Sequence, residues 1–194
     1  GSSINGQLAN RGAPTDYDEW GELGAEGWSW DACLPYFKKV ERDLDFDDEW
    51  HGREGRIPVR RIFSDQWPSY VHGIAKALEA QGVDYLEDQN GAFRDGYFPV
   101  TMSNLYDRRV SAAIGYLDPA TRQRENLRIE AETQVKEILF EGTKAVGVVA
   151  VQRGQEHTFK ANEVILCSGA IHSPAMLLRA GIGPVGHLHN MGID

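Results

Sequence analysis

The chain has 194 residues, 41% of them hydrophobic and 25% charged, which places it among ordinary globular proteins with room for one or two domains. Twenty Lys and Arg against 29 Asp and Glu give a net charge of −9, which opposes general attraction to nucleic-acid backbones or anionic lipid. No apolar run approaches the roughly 20 residues needed to cross a bilayer, and the first ten residues have neither the basic cluster nor the apolar core of a signal peptide.

The sequence begins with Gly rather than Met and stops without a terminating signal, so it reads as a piece of a longer chain. Helical spacing appears in WDACLPYFKKVE, residues 30–41, and in SYVHGIAKALEAQG, residues 69–82, where Val71, Ile74, Ala75 and Leu78 share one face and Gly82 supplies a stop. Between them, ERDLDFDDEWHGREG is polar and glycine-punctuated, as expected of a solvated loop. Within it Asp43, Asp45, Asp47 and Glu54 fall at positions 1, 3, 5 and 12 of a calcium loop, but Asp48 stands where the sharp turn requires Gly. Chance enrichment of acids explains this better, and a non-catalytic calcium-loop or interaction module is kept as the alternative function. Trp20, Trp28, Trp30, Trp50 and Trp67 are expected to pack a loop-rich core or lid.

Beyond residue 125 the period changes to two. NLRIEA, TQVKEILF, KAVGVVAV and HTFKA read as short strands with turns at Glu141-Gly142 and Arg153-Gly154, a β-meander. EVILC follows as an apolar strand suited to burial on both faces. Ser168, Gly169 and Ala170 then make a small-residue turn, and Ser173-Pro174 reads as the N-cap and first residue of a helix. Such a turn lets an anionic ligand approach backbone amides at a helix start; it equally lets strand and helix pack closely.

GIGPVG, residues 181–186, matches G-x-G-x-x-G literally, but a helix precedes it and Pro184 lies inside it, so it reads as a helix stop and turn. The six histidines show no metal or triad spacing and receive no catalytic role. Cys33 and Cys167 suit neither a disulfide framework nor a metal knuckle, which makes a reducing cytoplasmic setting the expectation. The fold class expected is α+β: helices and long loops, then a β-meander and a strand-turn-helix, with the change falling between Asn104 and Tyr116.

Together these segments resemble the glucose-methanol-choline (GMC) oxidoreductases, flavoenzymes that use FAD to oxidise alcohols. Gly1, Ser2, Ser3, Ile4 and Asn5 fit one family signature from its small residues onward, and Ala9, Gly12 and Asp18 continue it. Gly169, Ala170, Ser173, Pro174, Met176, Leu177, Gly181, Ile182 and Gly183 fit the second in register, while Ala180 stands where the family usually has Ser. RGAPTDYDEW, GWSWDACLPYFKKVE, RRVSAAIGYLDPATRQRENLRI and AVGVVA extend the likeness over nearly the whole chain.

The resemblance implies a flavin-contacting segment at 1–18, a lid and substrate-domain portion at 19–110, and the meander and strand-turn-helix of a partial α/β FAD-binding domain at 111–194. It implies that Ser2 and Asn5 lie against the flavin and its phosphates, that the Val135 backbone contacts the adenine end, and that Ser168, Gly169 and Ala170 lie near the cofactor. Choline-oxidising relatives that attach FAD covalently use a His where Ile4 stands, so FAD is expected to bind noncovalently. The ADP-binding βαβ unit and the region carrying the proton-accepting His are not in this sequence, so the fragment is expected to be inactive alone. A small-molecule alcohol is the expected partner, with no nucleic acid and no membrane, and self-association through open strand edges is plausible on this architecture.

Overall fold

A computed structural model describes residues 3–193 of the protein, which divide into two compact units, Gly1–Arg124 and Glu125–Asp194. Together they are a mixed α/β structure.

In the first unit, α1 (Pro14–Glu22) starts with Pro at its first position while the Asp16 carboxylate accepts the Ala13 N–H at 2.7 Å, which satisfies one of the orphan donors of a helix start. α2 (Trp30–Val40) carries the expected helical pattern. Aromatic rings join the two: Tyr17 lies 5.3 Å from Trp20, 5.7 Å from Trp30 and 5.5 Å from Phe37, and Trp30 meets Phe93 edge-on at 5.0 Å. Trp30 is buried as anticipated, whereas Trp20 and Trp28 are about half exposed.

The segment expected to be a solvated loop is different. It begins as β1 (Glu41–Asp43), which pairs in parallel with β2 (Ile57–Arg61) in the register Glu41↔Ile57. Glu41, Asp43 and His51 are buried, because cations from other segments meet them inside the unit. A 3-10 turn at Ser64–Gln66 leads to α3 (Ser69–Glu79), whose apolar face, with Trp67 and Phe98, lines an open cavity of about 430 Å³. Then come α4 (Gln89–Ala92), β3 (Thr101–Met102), the hairpin of β4 (Asn104–Leu105) and β5 (Arg108–Arg109), α5 (Ala112–Tyr116) and α6 (Pro119–Arg122). β3 joins β2 antiparallel, and the N-terminal segment lies along β3 through a Leu8–Met102 bridge.

The second unit holds the expected meander: β6 (Thr133–Glu141), β7 (Lys144–Gln152) and β8 (Gln155–Lys160), antiparallel in the order β6-β7-β8. NLRIEA is not a strand; β6 starts only at Thr133, after Glu132 takes a positive φ that turns the chain. EVILC also forms no strand. It finds no ladder partner among the described residues, and Ile165 is 78% exposed in the place of a buried strand residue. α7 spans Gly169–Arg179, so the helix begins four residues before Ser173, and Ser173-Pro174 lies inside it. The positive φ of Gly169 makes the chain reversal earlier than the Ser-Pro pair would. α7 ends as GIGPVG suggests: the Ile182 N–H bonds back to Leu177 O at 2.9 Å, and Pro184 leads into α8 (Val185–Asn190). Cys33 and Cys167 are both free.

Gly52 fixes the approach of the 44–56 segment to α2, since a Cβ there would lie 1.9 Å from the main-chain oxygen of Lys38. Backbone cannot yield as a side chain would. Gly52→Ala is expected to destabilise by at least about 3 kcal/mol. Gly73→Ala, on an exposed turn of α3 with open space around it, is expected to stabilise by about 0.5–1 kcal/mol. Chemical-denaturation midpoints of the two variants check both signs.

Candidate functional site

The N-terminal segment is held by hydrogen bonds rather than by its own secondary structure. Arg109 Nη1 donates to the Asn5 main-chain oxygen at 2.6 Å, and Ser103 donates to Gln7 O through its N–H at 2.8 Å and its hydroxyl at 3.3 Å. The Ala9 N–H donates to Thr101 O at 2.9 Å. Asn90, fully buried, closes a two-way clamp: its Nδ2 donates to Ala9 O at 2.9 Å and its Oδ1 accepts the Arg11 N–H at 3.0 Å. Asn5 itself is exposed. Ser2, expected beside it, lies outside the described residues.

Ser168, Gly169 and Ala170 form the start of α7. Ser168 makes no side-chain cap bond, no acidic residue occupies the first turn, and Gly169 has φ +90 with nothing within 4 Å of a Cβ position. The three residues are exposed. The amides of that turn are therefore available to an anion, and the helix dipole favours one there. Val135 sits in β6 opposite Ala150, next to a register shift between Val135 and Glu137. Asn5 belongs to the first unit; Val135, Ser168, Gly169 and Ala170 belong to the second.

The cluster that sequence reasoning missed surrounds His51. Its Nδ1 lies 3.1 Å from Asp43 Oδ2 and 3.4 Å from Glu41 Oε1, and its Nε2 lies 3.1 Å from Asp88 Oδ2. Arg61 donates to both oxygens of Asp43, at 2.9 and 2.7 Å, and through Nε to Asp88 at 2.7 Å. Arg11 pairs with Glu41 and donates to Trp50 O at 2.6 Å. Burial by itself would lower the His51 pKa, but the carboxylates of Asp43, Asp88 and Glu41 reverse this and push it up to about 11. Burial would raise Asp43, yet His51, the Phe46 N–H and Arg61 hold it well below the usual carboxylate range; Glu41 and Asp88 are lowered in the same way. Three carboxylates thus face two guanidiniums and an imidazolium.

Glu41, Asp43 and His51 place ligand atoms within 4.8 Å of one another, a spacing that a metal could use. Their oxygens already accept from Arg11 and Arg61, so the group is compensated by cations of the chain itself. Among the four acids at calcium-loop spacing, Asp43 is committed to Arg61, Asp45 accepts the Arg61 N–H at 2.6 Å, Asp47 pairs with Arg53 at 3.3 Å and Glu54 is exposed. No helix of the described residues is long and apolar enough to cross a membrane.

A family model described as GMC oxidoreductase matches residues 1–192. The chain is 49% identical over its whole length to 5-(hydroxymethyl)furfural oxidase from Methylovorus sp. (strain MP688), covering 36% of that protein. It is 40% identical to oxygen-dependent choline dehydrogenase from Staphylococcus saprophyticus, with all of this chain and 34% of that protein covered. Among solved structures, pyridoxine 4-oxidase from Mesorbium loti superimposes with a TM-score of 0.86 at 30% identity, over 100% of this chain and 38% of that one. An FAD-dependent oxidoreductase from Chaetomium thermophilum gives 0.83 at 27% identity, over 100% of this chain and 36% of that one. The chain therefore spans about a third of the length of the curated relatives it matches.

The charge cluster sets a pH dependence. Because folding raises the His51 pKa from 6.5 to about 11, its stabilisation is complete below about pH 6.5 and declines as pH rises toward about 11. The depressed carboxylates act oppositely, contributing fully above about pH 5 and losing that contribution as pH falls. Thermal unfolding midpoints are expected to drop between about pH 7 and pH 10, with His51→Gln flattening that slope and losing about 3–5 kcal/mol near neutrality. Melts followed by circular dichroism at both pH values check this; an equal slope in the variant would show that other groups titrate.

Proposed function

The chain belongs to the GMC oxidoreductase family, and from that premise we propose that it supplies part of the FAD site of an enzyme that oxidises a small-molecule alcohol. FAD, when bound, supplies hydride-accepting chemistry for an alcohol CH–OH group. The observation that carries this reading is the start of α7, where an open positive-φ glycine, an uncapped first turn and the absence of acidic residues suit a dinucleotide phosphate. Relatives and solved neighbours named as oxidases, dehydrogenases and an FAD-dependent oxidoreductase support the cofactor.

In this reading Asn5, with Ser2 before it, lies against the flavin and its phosphates, and the main chain at Val135 meets the adenine end. Ser168, Gly169 and Ala170 let the cofactor approach their backbone, a role for which small side chains are required. Ile4 is exposed and aliphatic, with no nucleophilic atom, so the cofactor is held noncovalently. None of the chain's residues is assigned the acceptance of the alcohol proton. The chain by itself is accordingly inactive, and residues 19–110 serve as lid and substrate-domain portion.

The full-length protein is expected to purify with a flavin absorption spectrum, while residues 1–194 alone bind FAD weakly and turn over no alcohol. In the full-length protein Gly169→Val strains a φ of +90 and fills the space beside the helix start, so the FAD dissociation constant is expected to rise at least about tenfold. Fluorescence titration of the apoprotein measures it. A full-length protein that carries no flavin overturns the proposal.

A further inference from the structure

Asn5 is exposed, so packing does not fix where its side chain points; the main chain that carries it must. That main chain is irregular. Gln7 takes φ +61, a conformation disfavoured for a residue with a side chain, and it persists because Ser103 donates twice to Gln7 O. Further on, the buried Asn90 holds both Ala9 O and the Arg11 N–H. On the Asn5 side of the strained residue, Arg109 donates to the Asn5 oxygen at 2.6 Å.

Arg109 is well placed to act as a fixed point. It lies in β5, opposite Asn104 of β4, and the hairpin between them turns on Tyr106 and Asp107, both with positive φ. Asn104 is buried and accepts from Arg60 of β2. The hairpin is thus tied to the sheet, and the guanidinium reaches from it to the N-terminal segment.

We propose that Arg109 is a positioning residue: its hydrogen bond to the Asn5 main-chain oxygen sets the direction in which Asn5 presents its side chain to the flavin. The inference rests on the reading that Asn5 lies against the cofactor. A charge-assisted bond to a carbonyl restrains both distance and direction, where water in its place would let the segment before Gln7 swing.

The test uses the full-length protein stripped of FAD and titrated back with it, reading the dissociation constant and the visible circular dichroism of the bound flavin. Four variants are compared: Asn5→Ala, Arg109→Met, Arg109→Lys and the double Asn5→Ala/Arg109→Met. Arg109→Met is expected to weaken FAD about tenfold and to shift the flavin dichroism in the same sense as Asn5→Ala. The double variant should bind no more weakly than Asn5→Ala alone, because Arg109 acts through Asn5. Arg109→Lys, which keeps a cationic donor, should recover part of the loss, and the apoprotein melting temperatures should stay together.

Additive losses in the double variant, or an unchanged dissociation constant and dichroism in Arg109→Met, overturn the proposal. If Asn5→Ala itself leaves affinity and dichroism unchanged, the flavin contact at Asn5 fails and the positioning role falls with it. A change in Asn5→Ala without one in Arg109→Met removes the positioning role alone. Should Arg109→Met fail to fold, Arg109→Lys against Arg109→Gln is read by the same criteria.

Discussion

A carboxylate withdrawn from water is costly unless cations and hydrogen-bond donors meet it, and the first unit withdraws three of them around one imidazole. Glu41 and Asp43 come from β1, His51 from the loop after it, Arg61 from β2, Asp88 from the entry to α4 and Arg11 from the N-terminal segment. Arg11 and Asp88 stand far from the 41–61 stretch along the chain, so the full cluster can form only when these three places meet. The register of β1 on β2 depends on it too. A slip by one residue would turn Glu41 and Asp43 to the opposite face and strand Arg61 without its partners. The apolar core of this unit is small, with Trp30, Val59, Ala75 and Leu86 as its buried hydrophobic residues among those described. Charge pairing therefore specifies an arrangement that a few apolar contacts would leave underdetermined.

Arg11 carries that order into the N-terminal segment. Its guanidinium belongs to the cluster through Glu41 while its own N–H is gripped by Asn90, so the segment leaves the buried ions at a fixed point. From there it runs outward along β3 to Asn5. The second unit exposes backbone in another way. At α7 the side chain is removed rather than the main chain stretched: Gly169 turns the chain and Ser168 leaves the helix start uncapped. One unit offers a side chain on a pinned strand-like segment, the other a bare helix terminus. The Asn5 segment is backbone held by donors and acceptors that local sequence does not contain.

That last point explains what was legible. α2, α3 and the three meander strands could be read because their signal is a period, which lies within one stretch of chain. The family resemblance was legible for the same reason, since its signatures are short and in register, and the family match bears it out. The His51 cluster could not be read, because ERDLDFDDEWHGREG has the composition of a solvated loop and the cations that bury it stand at Arg11 and Arg61. A usable hint was the alternation at 41–43, where Glu and Asp flank an outward Arg as inward residues of a strand would. EVILC failed in the opposite direction: its apolar composition states that it should be covered, not what covers it. Ser173-Pro174 carries the chemistry of a helix start, but the turn is made where the backbone can adopt a positive φ, and that is Gly169.

The main-chain contact proposed at Val135 would be supported by its strand. β6 stands at one edge of the meander, and an edge strand leaves alternate N–H and C=O groups without a ladder partner. The register of β6 on β7 shifts just after Val135, where Lys136 is passed over between the pairs Val135↔Ala150 and Glu137↔Val149. Such a bulge bends an edge and re-aims the groups beside it, and it persists because the pairs on either side hold it in place. Ala150, opposite Val135, is fully buried, so the strand is anchored on its inner side at that position. An anchored, bulged edge offers a ligand backbone donors and acceptors at fixed positions with no particular side chain required. In the proposed FAD site the residue type at 135 would matter less for affinity than the ladder that holds it, whereas at 169 the absence of a side chain would itself be the requirement.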